Sequence, residues 1–570
     1  MKLKLKYHAL LLVFASLVML YSCGDDFLDV ADPTVLSEDI FPQTVDDLDP
    51  IMIDIFGRLQ ETEYGTMMRF WPLLSHCRDH GYNGAQYNEF ALNELNPNLS
   101  NVRNFWERSF LAIGKINTLL AAAEEIRNGG NLSESQLSKL DQIKGQALFI
   151  RAYTYFYLIN YYGEYPIITE ADKSKMGIPI WDEVTSVISE AARPRATQGE
   201  VWDFIISDLL AAETLLEGVV FTEKSRPNEW AVKAFLGKSY ILTLQYDKAK
   251  IILKDVIDNS GKSLVSYDVL RNMFNGKNEF NSESIFEINY TPDPLGGNDV
   301  TNTGANWNRA ISVTYVAPNG VETTNGFGNL FIHDMNIPRF GFDDTTTVNQ
   351  KRPDYIEKSL QVRLDKSVDP RLYVGMFQPY VDSVHITTVW SDVAKSRVES
   401  YNAKNVKAWG SHKYNVVDRL YTANAGWCGV NMYAMRLAEV YLLYAEALIK
   451  TGSTTEGLEY INKVHRRAYN LPVHTPSATY DYASLTARTK TVDATDPLAN
   501  DPLKYERWAE LFSEGQWWID VRRFGMGAAE AAYYKKVMGG ALVWRETKYA
   551  MPIPTAEMDS NSEMIQNPGY

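Results

Sequence analysis

The sequence has few cysteines, no excess of positive charge and no apolar run of membrane-spanning length. Its 3 Cys in 570 residues exclude a disulfide framework. Cys77 and Cys428 could form one bridge, but sequence alone does not decide it. With 56 Lys and Arg against 71 Asp and Glu, the net charge is −15, and no basic cluster offsets it. Such a chain is a poor ligand for nucleic acid or anionic lipid.

The N-terminus has the pattern of an export signal. Three lysines within the first six residues precede the apolar run 9–20, which is shorter than the ~20 residues that cross a bilayer. Cys23 follows a small residue, an arrangement that resembles a bacterial lipobox, and the acidic stretch 24–29 resembles a surface-export signal. A plain secretory signal with a free cysteine is the alternative. We predict a lipoprotein signal peptide at residues 1–22 and lipidation of Cys23, which would anchor the protein without a membrane span.

Apolar residues recur at helical spacing along much of the remaining chain, most clearly at residues 135–162 and 435–450. Residues 236–253 match much of the tetratricopeptide pattern, in which small residues let antiparallel helices approach and large ones fill the groove. Such hairpins bury their faces only when several of them stack. The sequence therefore predicts a mainly α fold with a tetratricopeptide-like helical-repeat scaffold at about residues 100–258 and 432–535.

A polar segment interrupts this helical pattern. Between residues 259 and 431, Ser, Thr, Asn, Gly and Pro dominate, and residues 283–290 are typical of a short strand. A structureless insert of this length is uncommon unless it is functional. We predict one domain, residues 23–570, whose helical scaffold carries a large loop-rich, ligand-binding insert with a few short strands at about residues 259–431.

Several motifs resemble those of one protein family. Residues 506–525 read ERWAELFSEGQWWIDVRRFG, and residues 435–447 read MRLAEVYLLYAEA. Both resemble motifs of the SusD/RagB family of outer-membrane nutrient-binding lipoproteins, with Gln516 in place of the usual Arg. Asp-Pro-Arg at 369–371 and Met-Pro-Ile-Pro at 551–554 match other landmarks of that family, in the same order along the chain.

This resemblance implies a function at the cell surface. The family consists of lipid-anchored outer-membrane proteins that capture oligo- or polysaccharide and deliver it to a SusC-type TonB-dependent transporter during polysaccharide utilisation. The resemblance therefore implies glycan binding and carbohydrate uptake, with no catalysis and no cofactor. The implied partners are a glycan, the transporter and the outer membrane, but no nucleic acid. A peptide-capturing RagB-like protein and a lipid-anchored glycoside hydrolase are the alternatives.

One group of acidic residues could suggest a hydrolase. Glu506, Glu510, Glu514 and Asp520 follow one another at spacings that could hold the two carboxyl groups of a glycosidase. Neighbouring arginines favour ion pairs instead. The resemblance likewise implies a structural role for this stretch.

A pair of histidines could suggest a metal. His76 and His80 have an i,i+4 spacing that suits metal ligands on a helix. Further ligands are not evident, so we expect polar surface residues and no metal site, and the sequence leaves calcium binding open. No nucleophile elbow, P-loop or dinucleotide fingerprint occurs in the sequence, so no motif supports an enzyme.

Sugar recognition requires flat aromatic faces and a few polar groups that bond the hydroxyls. Aromatic and polar residues cluster in an early loop and in the insert, where the resemblance implies a glycan platform. Trp390 and Trp409 form a third, weaker group. Any one of these aromatic residues could instead pin a loop onto the scaffold. The predicted glycan-binding residues are Trp71, Tyr82, Asn83, Tyr87, Trp307, Asn308, Arg309 and Tyr315.

Overall fold

The structure, a computed structural model, describes most of the chain after the N-terminal region. In a few short strands it describes the backbone only. The described residues are 42–60, 79–82, 89–90, 93–184, 192–276, 278–290, 330–343, 353–378, 381–386, 389–392, 409–414, 430–539 and 542–570.

Helices form most of the described chain. Short 3-10 helices at Val45–Asp47, Glu170–Ser174, Met273–Asn275 and Glu546–Tyr549 supplement them. The α-helices are α1 Leu48–Leu59, α2 Ser100–Gly129, α3 Glu134–Tyr162, α4 Gln198–Leu216, α5 Glu229–Leu242, α6 Tyr246–Asn259, α7 Tyr267–Asn272, α8 Asn336–Arg339, α9 Pro353–Leu364, α10 Leu372–Gly375, α11 Leu437–Lys450, α12 Thr454–Ala468, α13 Pro502–Glu510, α14 Trp517–Arg523, α15 Gly527–Met538 and α16 Thr555–Ser560.

The long helices stack in chain order. Each of α2 to α5 packs against the helix that follows it, and α11 packs against α12. The insert separates α6 from α11 in the sequence, yet α11 lies directly against α5 and α6. The helical repeat therefore continues across the insert, which confirms the tetratricopeptide-like scaffold.

Small residues set the spacing of these helices, as the repeat pattern predicts. A Cβ added to Gly237 on α5 would lie 2.4 Å from a Leu253 methyl carbon on α6. A Cβ added to Gly145 on α3 would lie 2.7 Å from Leu216 on α4. Both distances are shorter than any ordinary carbon–carbon contact, so these helix pairs approach as closely as glycine allows.

Local signals set the helix ends. The Thr197 hydroxyl accepts a hydrogen bond from the Glu200 N–H at the start of α4, and the Thr197 N–H donates to Glu200 Oε2 at 2.8 Å. This reciprocal arrangement satisfies two amides that the helix leaves without partners. Gly163 directly follows the last residue of α3.

The strands pair two by two, and every pair is antiparallel. The pairs are β1 with β3, β2 with β8, β4 with β7, and β5 with β6. The strands are β1 His80–Tyr82, β2 Ser284–Ile288, β3 Leu330–Ile332, β4 Met376–Phe377, β5 Ser383–Ile386, β6 Val389–Asp392, β7 Gly410–Ser411 and β8 Met432–Arg436.

The pair β2–β8 holds the two ends of the insert together. Ser284 lies opposite Arg436, and Ile288 lies opposite Met432. The strand predicted at residues 283–290 is therefore confirmed. The helical pattern from residue 435 is wrong at its start, because Arg436 has an extended backbone (φ −139°) and α11 begins at Leu437.

The insert also contains a helix that the sequence pattern did not indicate. Helix α9 buries only Tyr355 and Ser359, so its sequence lacks a continuous apolar stripe. Within the described part of the chain, no helix combines the length and apolar character that a bilayer crossing requires.

Candidate functional site

Two distant segments meet at the strand pair β1–β3. His80 lies opposite Ile332, and Tyr82 lies opposite Leu330. The Ile332 N–H also donates to the Trp409 carbonyl at 2.9 Å, so a third segment joins the pair. The structure thus brings the early loop region, the middle of the insert and its later part to one place.

One predicted glycan-binding residue lies in this arrangement. Tyr82 is the last residue of β1. The lipidation site Cys23 lies outside the described residues. The other glycan-binding candidates also lie outside them and stay predictions: Trp71, Asn83, Tyr87, Trp307, Asn308, Arg309 and Tyr315.

The third aromatic group is wrong as a ligand-binding pair. Trp409 is fully buried and packs edge-to-face against Phe342, with ring centroids 5.5 Å apart. It therefore belongs to the core, where an aromatic ring gains most from leaving water. Trp390 lies on β6, with its backbone opposite His385.

His80 is a core residue as well, which corrects the surface position expected for it. It lies on strand β1 rather than on a helix, is 1% exposed and stacks on Phe512 at 6.3 Å. Burial lowers its pKa to about 3, so the imidazole is neutral at physiological pH. His76 lies outside the described residues. The spacing of the two histidines therefore gives no evidence of a helical metal site.

Asp79 lies buried beside His80. Its Oδ2 accepts a hydrogen bond from the Ser513 N–H at 3.2 Å. Burial raises the pKa of this carboxyl group to about 8, because removal from water disfavours the charged form. The base of the strand pair is thus anchored to the segment after α13.

The carboxylates considered for hydrolysis lie in a buried ionic cluster. Arg371 donates to both oxygens of Glu506 at 2.6 and 2.8 Å. Arg436 donates to Glu510 at 2.6 Å and to Glu514 at 2.8 Å. Asp520 likewise pairs with Arg507 and Arg523. Ion pairs with neighbouring arginines, as predicted, are confirmed for Asp520, whereas Glu506, Glu510 and Glu514 pair with arginines distant in the sequence.

The electrostatics of this cluster suit structure rather than acid catalysis. Burial alone would raise the pKa of Glu506, but Arg371 and His465 outweigh it and hold the pKa at about 2. The pKa of Glu514 is also lowered, since Arg436 and Lys413 outweigh its burial. A glycosidase acid must carry a proton near neutral pH, and these ionised, paired groups do not.

One set within the cluster has the composition of a metal site. Oxygens of Asp369 and Glu506 and a ring nitrogen of His465 lie within 4.8 Å of one another. However, Arg371 donates to Asp369 Oδ2 at 2.6 Å and to Glu506 at 2.6 Å. The guanidinium already supplies the positive charge, so these residues do not fit a metal cation.

Comparisons with known proteins agree along the chain. Residues 282–570 match a family model described as "SusD family". Residues 26–241 match a second model, described as "Starch-binding associating with outer membrane".

Individual relatives are distant in sequence but similar over nearly their whole length. A SusD-like protein of Formosa agariphila is 23% identical, over 97% of this chain and 98% of its own. A SusD superfamily structure from Bacteroides vulgatus has a TM-score of 0.66 at 19% identity and covers 93% of this chain and 99% of its own. A laminarin-binding SusD-like protein has a TM-score of 0.64 at 20% identity and covers 93% and 100%. These structures share the fold.

Proposed function

Because the chain belongs to the SusD family, we propose that it captures oligo- or polysaccharide at the cell surface and delivers it to a SusC-type TonB-dependent transporter. Two of the comparisons support the carbohydrate ligand. The model matched by residues 26–241 is described as starch-binding, and one solved relative is laminarin-binding. The transporter is the finer part of the proposal and has its support in the family alone.

The pairing of β1 with β3 is the observation that carries the proposal. The first aromatic cluster lies within residues 71–88 of the sequence, a range that includes β1. The second cluster, at 302–315, precedes β3 along the chain. Tyr82 lies opposite Leu330. Strand pairing is thus a reason to expect that both clusters contribute to one binding face.

The chemistry of the candidates suits a neutral or weakly charged sugar. The rings of Trp71 and Trp307 would stack on the C–H faces of a pyranose. The amides of Asn83 and Asn308 would exchange hydrogen bonds with its hydroxyls.

The proposal includes an anchored location. Signal-peptide removal after residue 22 and acylation of Cys23 would tether one domain, residues 23–570, to the outer membrane with its ligand-binding insert at about 259–431 facing outward. The model description that names the outer membrane supports this location. In this proposal the acidic surface of the helical scaffold contacts the transporter.

A double variant tests glycan capture. The chain lacking residues 1–22 is run in native affinity gels that contain soluble polysaccharides, beside the W71A/W307A variant. We expect retardation by at least one glycan without release of reducing sugar. The variant should lose that retardation, because it lacks the two indole rings that would stack on the sugar.

The matched control removes two indoles from the scaffold. Trp181 and Trp230 are partly buried and lie under cations, Arg193 at 4.5 Å and Lys233 at 4.7 Å. W181A/W230A should leave retardation unchanged. Normal affinity in W71A/W307A would refute the assigned platform, and binding to a peptide library without binding to any polysaccharide would refute glycan capture.

A further inference from the structure

A cleft lined by tyrosines and cations lies where α7, the segment after α9 and the end of α12 meet. Its volume is about 200 Å³. We call it the tyrosine cleft and define it by Tyr267, Arg271, Arg363, Lys366, Tyr373 and Tyr469.

A second, more polar hollow adjoins the tyrosine cleft. Its volume is about 560 Å³, and Tyr480, Arg488 and Lys490 contribute to its wall. Lys366 lines both spaces. The rings of Tyr469 and Tyr480 contact each other at 4.6 Å and connect the two walls. The combined space is large enough for more than one sugar ring.

Several cations of this surface have no carboxylate partner among the described residues. The Lys366 ammonium donates to the Tyr469 carbonyl at 2.7 Å, and the Lys490 ammonium lies 3.5 Å from the Ser367 carbonyl. Arg271 is exposed and forms no ion pair within the described chain. These charges stay available for an anion.

The carboxylates nearby do not neutralise the surface. Both carboxylate oxygens of Asp382 accept hydrogen bonds from Arg363, at 2.5 and 3.0 Å. Asp481 forms an ion pair with Arg466. Asp268 and Asp365 are exposed, and neither forms an ion pair with a described cation. Arg271, Lys366, Arg488 and Lys490 outnumber these two acids. The cleft is therefore locally positive on a chain whose net charge is −15.

Lys366 has an unusual backbone for its residue type. Its φ is 50°, in the left-handed region, just after the end of α9. Glycine holds this conformation without strain, and asparagine with little. A lysine here therefore adds a positive charge at the junction of the two hollows at a cost in backbone strain.

We propose that the tyrosine cleft binds an acidic sugar residue through its carboxylate or sulfate group. The anion would pair with Arg271 and Lys366, and the half-buried ring of Tyr267 would face the sugar. The Tyr267 hydroxyl is already fixed, because it donates to the Pro370 carbonyl at 2.9 Å. This goes beyond glycan capture at the aromatic clusters, since it uses other residues and specifies the charge of the ligand.

The test compares polymers that differ in charge. Affinity gels of the chain lacking residues 1–22 contain polygalacturonate, dextran sulfate or uncharged dextran, with inorganic sulfate as a competitor. The R271Q/K366N variant removes both charges and keeps a residue that tolerates the left-handed backbone at 366. We expect binding of an acidic polymer that the variant weakens by about tenfold or more, because two charge-assisted contacts are lost.

A charge-matched control separates the site from general electrostatics. K224N/R545Q makes the same change in net charge at exposed positions outside the cleft and should leave affinity unchanged. Equal losses in both variants, no binding of either acidic polymer, or equally tight binding of inorganic sulfate would overturn the proposal. W71A/W307A should keep this binding, which distinguishes the cleft from the aromatic platform.

A measurement on the unaltered chain covers the case of a variant that does not fold. Lysines are acetylated with and without the acidic polymer, and modification is quantified by mass spectrometry. Protection of Lys366 relative to the exposed Lys224 supports the cleft. Equal modification of both lysines in the presence of bound polymer would refute it.

Discussion

Gly237 shows how a single residue sets the distance between two helices. A Cβ there would lie 2.4 Å from Leu253, whereas a Cβ on Gly114 in α2 would meet nothing within 4 Å. We predict that Gly237→Ala lowers the free energy of unfolding by about 1–3 kcal/mol through overpacking. Gly114→Ala should raise it by about 0.5–1 kcal/mol through helix propensity alone.

Urea denaturation of both variants measures the difference. The pair is matched, because each substitution adds one methyl group inside a helix. A Gly237→Ala protein as stable as Gly114→Ala would show that the two helices separate at little cost, contrary to close packing in the repeat.

Asp79 provides a pH-dependent test at the residue scale. Its pKa rises from 3.8 in the unfolded chain to about 8 on burial, so between these values the folded protein holds a proton that the unfolded chain releases. The stability this proton provides is complete below the lower value and is lost as the pH rises through the upper one. We predict that the free energy of unfolding of Asp79→Asn, relative to that of wild type, rises by about 1 kcal/mol for each unit of increasing pH across that window.

Thermal unfolding between pH 5 and 8 checks this prediction. Asp203→Asn serves as the control, because it makes the same chemical change at a carboxyl group that is exposed to water in the folded protein. A stability difference between Asp79→Asn and wild type that stays constant with pH would mean that Asp79 is ionised in the folded protein.

Residue environments were the least predictable part of the site. His80 and Trp409 stand among polar residues in the sequence, yet both are buried by residues far along the chain, Phe512 and Phe342. Isolated side chains in loops carry no periodicity, so sequence patterns do not indicate which side faces water. The ion pairs were predictable as a type because acidic residues and arginines share the stretch 506–523, but the partners Arg371 and Arg436 were not.

At the scale of elements, α13 connects the insert to the scaffold through buried charge. Glu510 pairs with Arg436 at 2.6 Å and with Arg467 at 2.5 Å, while its neighbour Glu506 holds Arg371 of the insert. We predict that Glu510→Gln lowers the free energy of unfolding by about 3–5 kcal/mol, because removal of one partner leaves buried arginines without compensation.

The exposed pair Glu107–Arg103 provides the comparison for this variant. Its atoms are 3.6 Å apart and both side chains are at least 50% exposed, so Glu107→Gln should change stability by less than about 1 kcal/mol. Equal effects of the two substitutions in guanidinium denaturation would contradict a structural role for the cluster.

Element prediction succeeded where the periodicity was strong. The long apolar pattern at residues 135–162 located α3 nearly to the residue. Strand β8 was read as the start of a helix, because a short apolar run fits both periods until its partner strand is known. Helix α9 was missed since it buries too little surface to leave a pattern.

At the scale of the whole molecule, the two parts of the scaffold complete each other. Helix α11 covers faces of α5 and α6 that the N-terminal part alone would leave exposed to water. We predict that fragments 42–276 and 277–570 are insoluble or loosely folded when expressed singly and form a stable complex when co-expressed. The sequence pattern assigned both segments to one scaffold, but it did not indicate that α11 meets α5 and α6, because the insert separates these helices along the chain.

Co-purification of a tagged fragment and circular dichroism test the prediction. A fragment 42–276 that unfolds cooperatively on its own, with a melting temperature near that of the full chain, would contradict it. The control is a co-expressed 277–570 fragment with Glu510→Gln, which should reduce recovery of the complex.

The antiparallel pair β2–β8 also has a thermodynamic consequence. It fixes the ends of residues 289–431 beside each other, so that segment is a closed loop with respect to the scaffold. The entropy cost of closing a flexible loop grows only with the logarithm of its length, by about 0.6 kcal/mol for each doubling. Changes of loop length within this segment that leave the buried partners Arg339, Arg371 and Lys413 in place should therefore alter the stability of the scaffold only slightly.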